Sequence, residues 1–275
     1  MVTVHNFSGG LLVPVLGYLV SCLGAFLGLR CVTRARAHDG SRKAAWLCLA
    51  AVAFGATGIW AMHFIAMLGF AIPGQTIQYN VPLTIASMLL AIVVVGVGLF
   101  IVGYGNGGWP RLLVAGVLVG VGVAGMHYLS MAAMSMPDTM SYGPLLFVVS
   151  VVIAVVAGTA ALWIGTWVRS WTATIGASLV FGVAVSGMHY TGMAAMHVYA
   201  APAMSMGGSP ASSFLSPLII GISVLSLILT LTISLAPSEE EIRLDAQLTR
   251  TMEELQARQA QQAREAGNWR GPQTR

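Results

Sequence analysis

Seven apolar stretches run along the chain, at Leu11 to Leu29, Ala44 to Phe70, Pro82 to Gly103, Leu112 to Met134, Pro144 to Val168, Ala173 to Val198 and Phe214 to Ala236. Each is close to or above the about 20 apolar residues that cross the hydrocarbon core of a bilayer. The pattern predicts an all-α polytopic membrane protein with seven transmembrane helices. It divides the chain into an outer N-terminal segment over residues 1–10, a membrane domain over 11–236 and a partly helical tail over 237–275. The first stretch has no basic residue before it and no small-residue cleavage site, so it reads as a retained anchor.

The polar breaks carry a strong asymmetry. All thirteen Lys and Arg residues fall on one side of the seven-span arrangement. They are Arg30, Arg34, Arg36, Arg42 and Lys43 in the first loop, Arg111 in the third, Arg169 in the fifth, and the remainder in the tail. Basic residues are retained on the cytoplasmic side of a membrane, which predicts an outer N-terminus and a cytoplasmic tail. Composition agrees, with 57% hydrophobic and 8% charged residues. The formal charge of +4 does not indicate nucleic acid, because the basic residues sit at helix ends and not in a patch interleaved with aromatics. Cys22, Cys31 and Cys48 have neither disulfide-framework nor zinc spacing and read as core or lipid-facing residues.

A repeat lies inside the pattern. His63, His127 and His189 recur at intervals of 64 and 62 residues in the second, fourth and sixth spans. Seventeen or eighteen residues before them stand Trp46, Trp109 and Trp171, each close to a basic residue. Small residues recur two, five and seven positions before each histidine, where they let helix backbones approach. Pro82, Pro144 and Pro217, each followed by Leu, open the odd spans. Three parallel two-helix repeats plus one extra helix account for the seven, and an axis along the membrane normal would bring the motifs together at one depth.

At a rise of 1.5 Å per residue, all three histidines are placed toward the outer side, far from the basic ends. Their surroundings are Met62-His63-Phe64-Ile65-Ala66-Met67, Met126-His127-Tyr128-Leu129-Ser130-Met131 and Met188-His189-Tyr190-Thr191-Gly192-Met193. An ionisable group in a span is expensive and points to function. One such histidine is accounted for by a neutral ring hydrogen-bonded between helices; three at matched depth, each with a methionine on its own helical face four residues later, weigh against that reading. Imidazole and thioether together suit copper, particularly Cu(I), whereas calcium and magnesium prefer oxygen. The expected ligands are the three histidines with some of Met67, Met131 and Met193. Met62, Met126 and Met188 point about 100° away and would reach a neighbouring helix or a second site. Met134, Met136, Met140, Met204 and Met206 lie in the outer loops, either as thioethers that meet incoming metal or as covers over the helix ends. His5 and His197 are auxiliary candidates of low weight.

At these residues the chain resembles the MHYT family of bacterial membrane sensor domains. Met188 to Thr191 match the motif literally, the second copy departs at Leu129, and the first departs at Phe64 and Ile65. The resemblance implies copper held by Met62, His63, Met67, Met126, His127, Met131, Met188, His189 and Met193, and sensing of oxygen, carbon monoxide or nitric oxide. Many such proteins continue into cyclase, phosphodiesterase or kinase domains. Here the sequence after Ala236 is short, so no enzymatic activity is expected of it, and the signal would pass to a separate cytoplasmic partner.

In the tail, Ser238 and Glu241 read as a capping box. Leu244, Leu248, Met252 and Leu255 then form a narrow stripe suited to a signalling or dimerisation helix. Gly267 to Arg275 is expected to lack order. Two other functions compete with sensing: a protein that acquires, transfers or transports copper, and a haem protein using histidine and methionine as axial ligands. A retinal Schiff base is disfavoured, since Lys43 is the sole lysine and none lies in the seventh span. Acid-base hydrolysis is disfavoured because no carboxylate lies in a span and Asp138 stands alone in an outer loop.

Overall fold

The computed structural model describes residues 3–73, 77–105, 108–136, 139–199, 209–235 and 239–268. They form two compact units, Met1–Ile233 and Ser234–Arg275.

The first unit is a helical membrane bundle. Its helices are α1 (Leu12–Arg36), α2 (Gly40–Met67), α3 (Val81–Gly103), α4 (Trp109–Ala132), α5 (Pro144–Trp167), α6 (Trp171–Ala194) and α7 (Ala211–Leu235). The first six are each long and apolar enough to cross a bilayer, and α7 adds an apolar run over Ile220–Leu235. The chain is therefore a multi-pass membrane protein. Sequence signals explain the starts: Asn80 accepts the amide of Leu83 at 3.1 Å ahead of a proline in the first turn of α3, and Ser170 accepts that of Ala173 at 3.2 Å at the start of α6.

The six helices close a ring in chain order, α1 packing on α2, α2 on α3, and so on until α6 returns to α1. The slot between α6 and α2, which by analogy with α3 and α5 belongs to the third repeat's odd helix, is taken by α1. Thus α7 contributes a narrower face, with Ser226, Leu229 and Ile233 buried. Arg34 on α1 donates to the Ile233 carbonyl at 2.7 Å. Arg36 donates to the Gly165 and Thr166 carbonyls at 2.8 and 2.7 Å and to that of Val168, gathering the unpaired carbonyls at the end of α5. Arg30 and Arg34 lie over the repeat tryptophans Trp171 and Trp46. The basic end of the bundle is thus drawn together by α1.

Close helix contact shapes α2. Its stretch Ala53–Ala61 is a π-helix with all nine residues buried, immediately before the first motif. Gly24 of α1 lies so near that a Cβ there would overlap the backbone of Gly58. Widened turns of this kind favour functional sites.

At the histidine end, spans predicted to continue through Met134 and Val198 stop earlier, at Ala132 and Ala194. The chain there leaves the helix to pair in short strands: β1 (Gln78–Tyr79), β2 (Met134–Ser135), β3 (Thr139–Tyr142), β4 (Met196–Tyr199) and β5 (Ser209–Pro210). Antiparallel pairing runs β2-β1-β5 and β3-β4, with Tyr79 opposite Met134 and Tyr142 opposite Met196. A single bridge joins His5 to Ala71. This small cap buries Met134, Met136 and Met196, and Met140 is half-buried. Met204, Met206 and Asp138 lie outside the described residues.

The second unit holds α8 (Glu239–Asn268), with Leu244, Leu248, Met252 and Leu255 exposed. The helix ends at Asn268, and the remainder of the stretch from Gly267 to Arg275 lies outside the described residues. Ser238 lies outside the described residues.

Candidate metal centre

The alternate ring helices α2, α4 and α6 bring His63, His127 and His189 to one point. All three are buried, 1–2% exposed, and one ring nitrogen from each lies within 4.8 Å of the others. Nδ1 of His63 is 3.1 Å from Nδ1 of His189 and 3.2 Å from Nδ1 of His127. The rings form a propeller, with centroids 4.9, 5.0 and 5.3 Å apart and planes 82°, 88° and 87° to one another. The following residue repeats the geometry: Phe64, Tyr128 and Tyr190 each meet their histidine edge-on at 4.9 Å. The departure from tyrosine in the first copy therefore leaves the wedge intact.

An imidazole nitrogen carries one hydrogen or one lone pair. Nδ1 of His63 cannot make a full hydrogen bond to both neighbours, and Nε2 of His63 and of His127 are buried without a hydrogen-bond partner. A cation shared by the three rings removes the conflict, because each Nδ1 then offers its lone pair inward. Nitrogens bound tetrahedrally at about 2.0–2.1 Å stand about 3.3–3.4 Å apart, close to the spacing found. The residues present therefore fit a metal ion.

Gly192, three residues beyond His189, makes room for the cluster. A Cβ there would stand 2.5 Å from Nε2 of His127. Two serines brace the aromatic shell. Trp60 Nε1 donates to Ser87 Oγ at 2.9 Å, and Tyr128 Oη and Ser150 Oγ are 2.6 Å apart, so each bond ties an even helix to the following odd one. Neither serine emerged from the sequence reading, although each follows its repeat proline by five or six residues, a register that Ser223 shares.

The motif methionines divide. Met67, Met131 and Met193, one turn beyond the histidines, are all buried. The three that precede the histidines have separate surroundings: Met62 packs at Gly17 of α1, Met126 Sδ accepts from Ser130 Oγ at 3.5 Å, and Met188 lines an apolar cavity. His5 forms the isolated bridge to Ala71 and His197 lies in β4, and neither is a member of the histidine group. Among the described residues, the three cysteines are free thiols outside it.

The MHYT family model, described as a bacterial signalling protein N-terminal repeat, matches three times, over residues 57–115, 120–178 and 182–244. Each match opens a few residues before a motif histidine. The bifunctional diguanylate cyclase/cyclic di-GMP phosphodiesterase MucR of Pseudomonas aeruginosa is 36% identical over 234 residues, covering 82% of this chain and 33% of MucR. The cyclic di-GMP phosphodiesterase NbdA of the same organism is 36% identical over 187 residues, 66% of this chain and 24% of NbdA. Signaling protein YkoW of Bacillus subtilis is 30% identical over 187 residues, 66% of this chain and 23% of YkoW. The chain thus spans about a third or less of the length of these relatives, and what aligns is its membrane repeat region. No solved structure matches it.

Proposed function

This chain belongs to the MHYT family of bacterial signalling-protein repeats, and from that premise we propose that it is a copper-binding membrane sensor domain that responds to a diatomic gas or to redox state. The observation that carries the reading is the buried triad of His63, His127 and His189, with Nδ1 of His63 at 3.1 and 3.2 Å from the Nδ1 atoms of the other two. The group contains no carboxylate, so a bound cation keeps its charge undiminished by the ligands, which favours a low-valent, soft ion. Neutral imidazoles with thioethers one turn away at Met67, Met131 and Met193 are the donor set that suits Cu(I). Met62, Met126 and Met188 are proposed as supporting residues that set the helix packing behind the histidines.

Copper held by His63, His127 and His189 would supply an electron-rich centre for oxygen, carbon monoxide or nitric oxide. The chain holds the rings in register through Phe64, Tyr128 and Tyr190, excludes water by burial, and covers the site with the strand cap. The basic residues at the opposite helix ends support an outer N-terminus and a cytoplasmic tail. Signalling then proceeds to a cytoplasmic partner or a second copy through the tail, a role supported by the cyclase and phosphodiesterase names of the relatives. The segment needed for catalysis in those proteins is not what this chain shares with them.

Transfer of copper across the membrane is the competing role. It is disfavoured because Ile59, Val123 and Val185 follow one turn below the histidines and offer no onward ligands. A haem is disfavoured because three rings this close leave no place for a porphyrin plane between them.

Elemental analysis of purified protein tests the proposal. About one copper per chain is expected, lost on combined substitution of His63, His127 and His189 by Ala, with a visible or X-ray absorption spectrum that responds to one of the three gases. Protein that is folded and signals fully without metal would overturn it.

A further inference from the structure

Directly below the histidines, toward the basic end, the ring encloses a cavity of about 50 Å³. Ile59, Val123 and Val185 line it, and each stands four residues before a motif histidine. By helical rise the cavity therefore begins about 6 Å from the metal-binding rings and on the same helical faces. Leu99 of α3 and Ala154 and Gly158 of α5 extend its wall, with Met188 beside His189. These side chains carry no nitrogen or oxygen. A space of this size has room for more than one water probe, yet a water needs two or more polar partners, so the cavity stays dry and selects apolar occupants.

A second, smaller pocket of about 40 Å³ lies in the seam between α5 and α6. It shares Phe54, Ala157, Ala161, Phe181 and Ala184 with the wall of the first. Ala157, Ala161 and Ala184 are half-buried, and Val180, also in the seam, is 61% exposed on the lipid face of α6. The Phe54 and Phe181 rings, 5.4 Å apart, stand in both walls. The small side chains of the two helices thus leave an apolar opening from the bilayer face to the centre of the ring, with two aromatic rings at its inner mouth.

We propose that the central cavity is a binding site for a single small apolar molecule of diatomic size, filled laterally from the lipid through the α5–α6 seam. Such molecules dissolve better in hydrocarbon than in water, so the membrane is their reservoir, and the seam opens to it. The site holds the molecule one helical turn from the histidine triad. Its use as a signal rests on the sensing function proposed above; its occupancy does not.

Xenon serves as the probe, with metal-free full-length protein. Crystals under xenon pressure are expected to show an anomalous peak between Ile59, Val123 and Val185. Ala161→Leu, which projects into the cavity from α5, is expected to abolish the peak at the same pressure. Leu99→Ala, which enlarges the cavity, is expected to raise its occupancy, so the site is tested in both directions. Absence of xenon from the wild-type cavity, or equal occupancy in Ala161→Leu and wild type, overturns the site. For the route, saturation-transfer NMR with ¹²⁹Xe is expected to show exchange slowed about tenfold in Ala177→Phe, at a residue that lines the seam pocket and not the central cavity, and unchanged exchange overturns lateral entry. Because every measurement uses metal-free protein, failure of the copper assignment leaves these results standing, and the reverse.

Discussion

Nδ1 of His63 stands 3.1 Å from Nδ1 of His189, although 126 residues of chain separate them. Without a cation, that approach places two nitrogens where one hydrogen bond at most can form, while His127 crowds the same atom at 3.2 Å. A bound ion turns the conflict into coordination, so metal should stabilise the bundle by mass action, about 4 kcal/mol when free metal exceeds its dissociation constant about a thousandfold. Thermal unfolding of the detergent-solubilised protein with Cu(I) and with a chelator measures this directly. His63→Ala should remove the metal-dependent part of the melting temperature, and a shift that persists in that variant would place the ion elsewhere.

Gly192 offers a sharper test, because it acts on the site without removing a ligand. Its missing Cβ would stand 2.5 Å from Nε2 of His127, whereas a Cβ at Gly187 on the same helix meets nothing within 4 Å. Gly192→Ala should tilt the His127 ring and cost about 10-fold to 100-fold in metal affinity, the usual effect of disturbing a ligand's support. Gly187→Ala should leave affinity intact and stabilise the helix by up to about 1 kcal/mol. Metal titration of the two variants compares them, and equal affinities would show that the ring's position is not set by Gly192.

Much of this was legible in the chain. The spacing of the three Met-His copies, the tryptophans and prolines in register with them, and the one-sided basic residues led to seven helices, three repeats and a converging site. Those signals are periodic, and helical periodicity survives in a single sequence. The features that escaped depend on partners instead. The two-residue strands around Tyr79 and Met134 are too short for an alternating pattern, so Met134 reads as a helix end and Tyr79 as part of a loop. The π-helical turns before His63 follow from how closely Gly24 approaches Gly58. The substitution of α1 for α7 in the ring is a choice between two apolar helices with the same direction, which hydropathy cannot distinguish. Gly192 carries no signal of its own in the sequence, because its role comes from the His127 ring packed against it.

Arg36 ties α1 to α5 through the Gly165, Thr166 and Val168 carbonyls. A guanidinium fork reaches several acceptors at once, while an ammonium is a single point charge. Arg36→Lys should therefore keep the favourable charge at the helix end yet lose part of the bonding, and Arg36→Ala should lose both, at about 1–3 kcal/mol. Thermal or denaturant unfolding in one detergent should order the proteins as wild type, Lys, Ala. Equal stability of the Lys and wild-type forms would mean that charge alone holds the two ends together.

The cap carries a pH dependence of its own. Burial, and then the neighbouring Tyr128, push the Tyr142 hydroxyl up to about 12, and burial raises that of Tyr79 as well. A tyrosine whose folded pKa exceeds its unfolded value, about 10, favours the fold while it stays neutral. Its contribution is complete below about pH 10 and is lost as pH rises through about 12. Tyr142 pairs with Met196 across β3 and β4, so its ionisation should loosen that strand pair before the helices give way. Tyrosinate absorbance should therefore show a late step whose amplitude falls in Tyr142→Phe, with the Tyr79 contribution remaining. Hydrogen exchange at Val198 and Tyr199 should accelerate over the same range in wild type beyond the base-catalysed increase, and that excess should shrink in the variant. An identical alkaline response in both proteins would mean that Tyr142 does not govern the cap.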